Sequence, residues 1–214
     1  MPSKDRIFVK ICGITRAEDA LAAIGCGADA IGFIAYPKSK RFIPPGKVSL
    51  ISQSLKTEIS KVAVFVNPSR DDIEKYVSAG ADVVQLHGDE TADFAENVAK
   101  SAEVWKAIRP RSKDDILKYK GFPAAKFLID AAGGTEYGGT GRKSDWELAK
   151  FAVEILGAPV ILAGGLNPAN IAEAISSVEP FGVDLSSGVE SSPGIKDHAK
   201  LKDVFREIKK GAAI

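Results

Sequence analysis

Short apolar runs alternate with amphipathic stretches along the whole chain. Eight runs are nearly continuous in hydrophobic residues, which is typical of strands that are buried on both faces. In chain order they read IFVKI, DAIGFI, KVAVFV, DVVQL, EVWKAI, AKFLI, PVILA and FGVDL. The stretches between them repeat near the 3.6-residue period of a helix. In AEDALAAIGCG, for example, Ala20, Leu21 and Ile24 share one face, and Gly25 and Gly27 are expected to end the helix.

This alternation predicts an α/β fold with a parallel sheet. Eight strand–helix repeats with no linker and no low-complexity segment predict one (β/α)8 TIM barrel, formed as a single domain over residues 1–214. The helix after Asp130 is expected to begin only at Ser144–Asp145, which leaves a long glycine-rich loop. Loops of that length are usually functional. In such barrels the active site lies at the carboxyl ends of the strands.

Composition and charge exclude several classes of protein. A formal net charge of +1 gives no bulk attraction to nucleic acid or to a membrane surface. Two cysteines, Cys12 and Cys26, are too few for a disulfide framework or a zinc site, and they indicate a reducing, intracellular setting. No stretch reaches the roughly 20 apolar residues of a membrane span. We therefore expect a cytoplasmic protein without a metal site.

An acid and a base follow two of the predicted strands. Cys12 comes directly after the first apolar run, and Asp130 comes directly after the sixth. A thiol and a carboxyl group at the carboxyl ends of parallel strands are typical of a site that moves protons. Other polar residues at the strand ends are Lys38, Arg41, Asn67, Gln85, His87, Lys106 and Asp184.

Glycine and serine follow the last two predicted strands. Gly164 and Gly165 come after the seventh strand, and Ser186, Ser187 and Gly188 come after the eighth. Barrels of this kind often bind phosphate at these two places, through backbone N–H groups that glycine leaves accessible. The paired positions predict a phosphate site.

The motifs VKICGIT, GFIAYPKSKRFI, VVQLHGDE, FLIDA, YGGTGRKSDW, ILAGGLNPANI and VDLSSGVESSPGIKD follow one another along the chain. In these motifs and their order the chain resembles the phosphoribosylanthranilate isomerases. The resemblance implies an Amadori rearrangement of N-(5-phosphoribosyl)anthranilate in tryptophan biosynthesis. It implies a phosphorylated small-molecule substrate, no cofactor, and a monomer or homodimer.

The resemblance also implies residue roles. Cys12 matches the general base, Asp130 the general acid, and Arg41 the residue that holds the anthranilate carboxylate. Asp184, with Lys10 and His87, is assigned to substrate binding. The implied phosphate site consists of Gly139, Gly141, Gly164, Gly165, Ser186, Ser187 and Gly188.

The chemistry sets expectations for two pKa values. An acid that protonates the ribose ring oxygen must hold its proton near neutrality, so the pKa of Asp130 should be raised by burial or by a neighbouring carboxylate such as Asp184. A base must be a thiolate, so the pKa of Cys12 should be lowered. Lys10 lies two residues earlier on the same strand face, and its charge would favour the thiolate.

Each candidate residue also has an ordinary structural interpretation. Cys12 is alternatively a small buried hydrophobe, and Asp130 a helix cap. Arg41 is alternatively a solvated loop residue. His87 and His198 are read as structurally satisfied and not as catalysts. Two other functions stay open: another phosphate-sugar enzyme on the same barrel, and a non-catalytic phosphosugar-binding module.

Overall fold

The computed structural model describes residues 6–130 and 146–211. Eight parallel strands form a closed barrel in which neighbours in sequence are neighbours in the sheet and the last strand pairs with the first. They are β1 (Phe8–Cys12), β2 (Ala30–Ile34), β3 (Ser60–Phe65), β4 (Val83–Leu86), β5 (Glu103–Ile108), β6 (Lys126–Ile129), β7 (Val160–Leu162) and β8 (Gly182–Leu185). Each strand overlaps one of the eight apolar runs, so the predicted TIM barrel is confirmed.

Helices follow the strands and cover the outside of the barrel. They are α1 (Ala17–Cys26), α2 (Pro45–Ser54), α3 (Arg70–Ser78), α4 (Ala92–Ala99), α5 (Lys113–Leu117), α6 (Trp146–Ile155), α7 (Ile171–Val178) and α8 (His198–Gly211). Gly27 ends α1 in a left-handed conformation with φ of 106°, whereas Gly25 lies inside the helix. The expected helix start at Ser144–Asp145 lies outside the described residues.

Between β8 and α8 the chain forms a short 3-10 turn and a hairpin. The turn covers Ser187–Val189, and the hairpin pairs β9 (Glu190–Ser192) with β10 (Ile195–Lys196) in antiparallel fashion. The apolar pattern did not predict this hairpin, because its strands are two and three residues long and mostly polar. It lies next to the loops that follow β1 and β8.

The two faces of the barrel strands form separate layers of core. Outward-facing residues pack against the helices in the larger cluster. Inward-facing residues, among them Val62, Val64 and Leu128, fill the barrel interior. Aromatic rings close the amino-terminal end, where Phe8 contacts Trp105 with ring centroids 5.9 Å apart and stacks on Phe181 at 5.5 Å. The open end of the barrel is therefore the one at which the strands have their carboxyl ends.

The barrel closes where β1 pairs with β8. In this register Lys10 lies opposite Asp184, and Lys10 Nζ donates a hydrogen bond of 2.9 Å to Asp184 Oδ2. Phe8 lies opposite Gly182, where a Cβ atom would come within 2.6 Å of the Phe8 carbonyl oxygen. The register brings the end of β1, with Cys12, beside the end of β8.

No helix in residues 6–130 and 146–211 is long and apolar enough to cross a membrane.

Candidate active site

A pocket opens at the carboxyl ends of the strands. Most of the predicted site residues line it: Cys12, Arg41, His87, Asp130, Gly164, Gly165, Asp184, Ser186, Ser187 and Gly188. Lys10 lies beneath the pocket, fully buried and paired with Asp184. Gly139 and Gly141 lie outside the described residues. The strand-end positions that the sequence singled out therefore converge on one site.

Cys12 is the last residue of β1 and is only 6% exposed. Its neighbour in register on β2 is Gly32, where a Cβ atom would come within 2.8 Å of the Cys12 sulfur. The absence of a side chain at Gly32 therefore leaves room for the thiol inside the barrel mouth. Lys10 and Cys12 share the inward face of β1, as the two-residue period of a strand requires.

The thiol of Cys12 has a raised pKa. Burial is the main cause, and the negative charge of Asp184 adds to it, while the positive charges of Lys10 and Lys196 act in the opposite direction. The expectation of a lowered pKa is therefore wrong. Lys10 is present as predicted, but its ammonium is paired with Asp184, and the loss of solvation at Cys12 outweighs its attraction. In the free protein the thiol holds its proton at neutral pH.

Three further titratable groups meet in the pocket. His87 Nε2 lies 3.3 Å from Asp130 Oδ2. The pKa of Asp184 is raised, first by burial and then by the negative charge of Asp130, although Lys10 and His87 oppose the shift. The negative charge of Asp130 therefore disfavours the charged form of Asp184, as expected for two neighbouring carboxyl groups. A raised pKa for Asp130 itself stays a prediction.

Several buried polar atoms face the pocket without a hydrogen-bond partner among the described residues. They are Gln85 Oε1, His87 Nε2, Asp184 Oδ1 and Ser186 Oγ. His87 Nε2 is within ion-pair distance of Asp130 but is not aligned for a hydrogen bond. Buried polar groups are nearly always paired in folded proteins, so these atoms are available for hydrogen bonds to a molecule that enters the pocket.

The loops after β7 and β8 approach each other through backbone alone. Gly164 and Gly165 adopt positive φ values of 88° and 69°, which glycine tolerates best. A Cβ atom at Gly188 would overlap the carbonyl oxygen of Leu166, so the β8 loop can pass the β7 loop only with glycine at this position. The result is a glycine-rich surface on which backbone N–H groups are accessible, which suits a phosphate group.

Arg41 is held by an acidic residue that the sequence did not indicate. Its Nε donates to both carboxylate oxygens of Glu190, at 2.9 and 3.0 Å, and its Nη2 donates at 2.6 Å. Lys196 Nζ donates to the same carboxylate at 2.9 Å and also to the carbonyl oxygens of Cys12 and Ser186. Glu190 and Lys196 stand in a polar stretch with no apolar period, so nothing in the pattern marked them as buried.

Two other charged candidates lie away from the pocket. Lys106 faces the helices, because its neighbours Trp105 and Ala107 point into the barrel, and its Nζ donates to Glu90 Oε2 at 2.8 Å. His198 lies at the start of α8 and pairs with Asp19 at 2.9 Å. The structural interpretation of His198 is therefore supported, and Lys106 does not line the site.

A closed (β/α)8 barrel with a thiol, carboxyl groups and glycine loops at its carboxyl end is typical of the TIM-barrel enzymes that act on phosphorylated small molecules. The comparisons with known proteins agree. Residues 9–207 match the family described as N-(5'phosphoribosyl)anthranilate (PRA) isomerase. A relative with this name from Geobacter metallireducens is 44% identical and aligns over 95% of this chain and 99% of its own length. One from Syntrophus aciditrophicus is 42% identical, with coverage of 94% and 87%.

Solved structures give the same result. Phosphoribosyl anthranilate isomerase from Thermotoga maritima superposes with a TM-score of 0.86 at 40% identity, covering 95% of this chain and 99% of that one. A second structure of such an isomerase holds reduced 1-(o-carboxyphenylamino)-1-deoxyribulose 5-phosphate and superposes with a TM-score of 0.83 at 38% identity and the same coverage. The chain belongs to the N-(5'-phosphoribosyl)anthranilate isomerase family of tryptophan biosynthesis.

Proposed function

We propose that this protein converts N-(5-phosphoribosyl)anthranilate into 1-(2-carboxyphenylamino)-1-deoxyribulose 5-phosphate, with Cys12 as general base and Asp130 as general acid. The observation that carries the proposal is that both residues line one pocket with the two glycine loops, in a chain that matches the isomerase family over residues 9–207. The substrate needs an acid, a base and a phosphate site, and the residues that line this pocket are of the types that would supply all three.

Two proton transfers make up the reaction. Asp130 donates its proton to the ring oxygen as the bond between that oxygen and C1′ breaks, which leaves an open chain with an iminium at C1′. Cys12 then takes the proton from C2′, and the electrons of that C–H bond move toward the iminium nitrogen to give an enolamine. Tautomerisation of the enolamine gives the ketose. His87, 3.3 Å from Asp130, is in a position to stabilise the carboxylate that the first step leaves behind.

The protonation states of the two groups restrict the active form. Catalysis needs a thiolate together with a protonated carboxyl group, but burial raises the pKa of Cys12, so this combination is a minor one at neutral pH. Two effects offset the low population. A base of higher pKa removes a carbon-bound proton more effectively. The positive iminium of the open substrate also favours the thiolate beside it.

The remaining site residues bind three parts of the substrate: the anthranilate carboxylate, the phosphate and the ribose. Arg41 binds the anthranilate carboxylate through the part of its guanidinium that Glu190 does not occupy. Backbone amides of Gly164, Gly165 and Gly188, together with Ser186, Ser187, Gly139 and Gly141, bind the phosphate. The unpaired Asp184 Oδ1 and Gln85 Oε1 are available to the ribose hydroxyls.

Assembly and location stay predictions. The protein is expected to be a cytoplasmic monomer or homodimer and a single domain over residues 1–214. One solved structure is of monomers generated from the dimeric isomerase of Thermotoga maritima. Nucleic acid and membrane partners are not expected, because the net charge is only +1.

A fluorescence assay with freshly formed phosphoribosylanthranilate tests the proposal. The wild-type protein should consume the substrate, and Cys12→Ala should lower kcat by on the order of 100-fold or more with little change in KM, because the base acts in the transition state. A wild-type protein that binds the reduced product analogue without turning over substrate would instead be a phosphosugar-binding module. Unchanged turnover in Cys12→Ala would rule out the assigned base.

A further inference from the structure

Arg41, Glu190 and Lys196 form a buried triad behind the pocket. The carboxylate of Glu190 lies between the two cations: it accepts three hydrogen bonds of 2.6–3.0 Å from Arg41 and one of 2.9 Å from Lys196. The residues are 9%, 6% and 3% exposed, in the order Arg41, Glu190, Lys196. All three come from different parts of the fold: the β2–α2 loop, β9 and β10.

The triad carries one more positive charge than it can neutralise by itself. Two cations share a single carboxylate, and buried charge is costly unless it is paired. Arg41 is the member of the triad that lines the pocket. The guanidinium of Arg41 therefore presents the excess positive charge to the pocket, and an anionic group on a ligand would pair with it.

The geometry leaves Arg41 one free edge. Glu190 occupies the Nε–Nη2 edge, and no hydrogen bond from Nη1 to a described residue is present. The aliphatic part of Arg41 is also confined, because a Cβ atom at Gly13 would come within 2.8 Å of Arg41 Cδ. A planar guanidinium that is fixed along one edge presents its other edge in one orientation, which suits a bidentate carboxylate.

We propose that Glu190 is a positioning residue that orients Arg41, so that the site selects substrates with a carboxylate on the aromatic ring. The proposal rests on the proposed function, since it assigns the substrate end that Arg41 meets. Lys196 contributes to the same arrangement, because it donates hydrogen bonds to Glu190 and to the carbonyl oxygens of Cys12 and Ser186. The carboxylate site, the base and the β8 loop are thus fixed to one another.

Selectivity between two substrates tests this role. One is N-(5-phosphoribosyl)anthranilate, and the other is N-(5-phosphoribosyl)aniline, which lacks only the carboxylate. Glu190→Gln keeps the shape but removes the charge that fixes the guanidinium. The preference is the ratio of kcat/KM for the anthranilate substrate to kcat/KM for the aniline substrate. Glu190→Gln should lower this ratio by on the order of 10-fold or more, because charge-assisted hydrogen bonds are strong and directional. Most of the change should come from a higher KM for the anthranilate substrate. The aniline substrate should change much less.

Two comparisons distinguish a specific effect of Glu190 on the orientation of Arg41 from a general loss of structure or activity. Glu90→Gln breaks another buried carboxylate–lysine pair, with Lys106, and should leave the preference between the substrates unchanged. In an Arg41→Ala background, Glu190→Gln should cause no further loss of preference, because the residue it positions is gone. Equal losses with both substrates in Glu190→Gln, or a further loss of preference in the double variant, would overturn the proposal.

A second variant covers the case in which Glu190→Gln does not fold. Glu190→Gln combined with Lys196→Met removes one buried anion and one buried cation, so the excess charge of the triad is unchanged. It should show the same loss of preference, and a retained preference in this variant would also overturn the proposal.

Binding measurements separate this inference from the proposed function. Calorimetry with reduced 1-(o-carboxyphenylamino)-1-deoxyribulose 5-phosphate and its phenylamino counterpart needs no turnover. If the wild-type protein turns over neither substrate but binds the carboxylated compound more tightly, and Glu190→Gln removes that difference, the proposed function fails and the positioning role stands. If it turns over both substrates equally well and binds both compounds equally, the positioning role fails and the isomerase activity stands.

Discussion

Burial has two opposite effects on the thiol of Cys12. It positions the sulfur inside the barrel mouth, opposite Gly32, and it also makes the thiolate harder to form. Lys10 and Lys196 reduce this effect without cancelling it. A single residue thus shows why a catalytic role inferred from sequence does not determine a pKa: the type of residue is visible in the chain, whereas its loss of solvation is not.

The raised pKa makes the reactivity of Cys12 dependent on pH. In a Cys26→Ala background, the rate of alkylation by iodoacetamide should rise about tenfold per pH unit beyond pH 8, because the thiolate is the reactive form. Lys10→Met should make alkylation slower at every pH below the new pKa, since Lys10 favours the thiolate. Mass spectrometry of samples quenched over time measures the rate. A rate that levels off below pH 8 would contradict the raised pKa.

The pH profile of Asp130→Asn tests how the two groups cooperate. In the wild-type protein the fraction of Cys12 present as thiolate rises with pH, while the fraction of Asp130 that holds its proton falls. A plot of kcat against pH should therefore be a broad bell if chemistry limits turnover. Asparagine cannot donate an acidic proton, and we expect a loss on the order of 100- to 10,000-fold. The residual activity should then rise with pH through the pKa of Cys12, because only the thiolate is still required.

A bell-shaped profile that survives in Asp130→Asn with intact folding would exclude Asp130 as the acid. Asp184 would then be the next candidate, because burial and the negative charge of Asp130 raise its pKa.

The elements differ in how well the sequence predicts them. The barrel strands were found within one or two residues, because strands buried on both faces leave continuous apolar runs. The hairpin of β9 and β10 was missed, since its short polar strands have no such signal. Lys106 was expected near the site from its place on β5, but the alternation along that strand turns it toward the helices. A strand end locates a residue in the fold without fixing the face it occupies.

Candidate site residues follow the same rule. Cys12, Asp130 and the glycine loops were predictable because they directly follow apolar runs. Glu190 and Lys196 were not, because a charged residue in a polar stretch resembles a solvated one until the fold buries it. Only the packed structure reveals that their charges meet those of Arg41.

The approach of the β7 and β8 loops depends on Gly188. In Gly188→Ala the new methyl group would overlap the Leu166 carbonyl oxygen, so the loops must separate and their amides no longer converge. We expect KM for the phosphorylated substrate to rise by roughly tenfold or more, the range for lost hydrogen bonds to a charged group. Steady-state kinetics measures the change.

Gly25→Ala is the matched control for this variant. Gly25 lies inside α1 with no atom within 4 Å of the added methyl group, so KM should not change. The free energy of unfolding should increase by about 0.5–1 kcal/mol, since alanine favours helix over glycine. An unchanged KM in Gly188→Ala would mean that the two loops do not form the phosphate site.

At the scale of the whole molecule, stability at low pH depends on buried carboxylates that form hydrogen bonds between the amino-terminal and carboxyl-terminal parts of the chain. Asp19 on α1 accepts hydrogen bonds from Arg16, from the backbone of Lys196 and from His198. Burial would raise the pKa of Asp19, but these bonds outweigh it and hold the pKa below its usual value of 3.8. For a lowered pKa, the stabilisation is complete above the unfolded value and is lost as pH falls through the folded value.

Stability should therefore decrease below about pH 4 as Asp19 is protonated. Asp19→Asn should lower the free energy of unfolding at pH 7 by about 1–3 kcal/mol and make it less dependent on pH in the acid range. Urea unfolding at pH 7 and at pH 3 measures both effects. Asp203→Asn removes an exposed pair with Arg206 and should change the free energy by at most about 0.5 kcal/mol. Equal effects of the two substitutions would contradict this account.

The junction of β1 and β8 affects the protein while it is being made. Lys10 and Asp184, which pair there, are 174 positions apart in the chain. Cys12 therefore leaves the ribosome long before Asp184 or Lys196 exists, and for that interval its thiol is solvated, ionises more readily than in the finished barrel, and is open to oxidants. The final strand and hairpin enclose the sulfur as well as completing the pocket, so the nascent chain is exposed to oxidation at the residue on which its proposed chemistry depends.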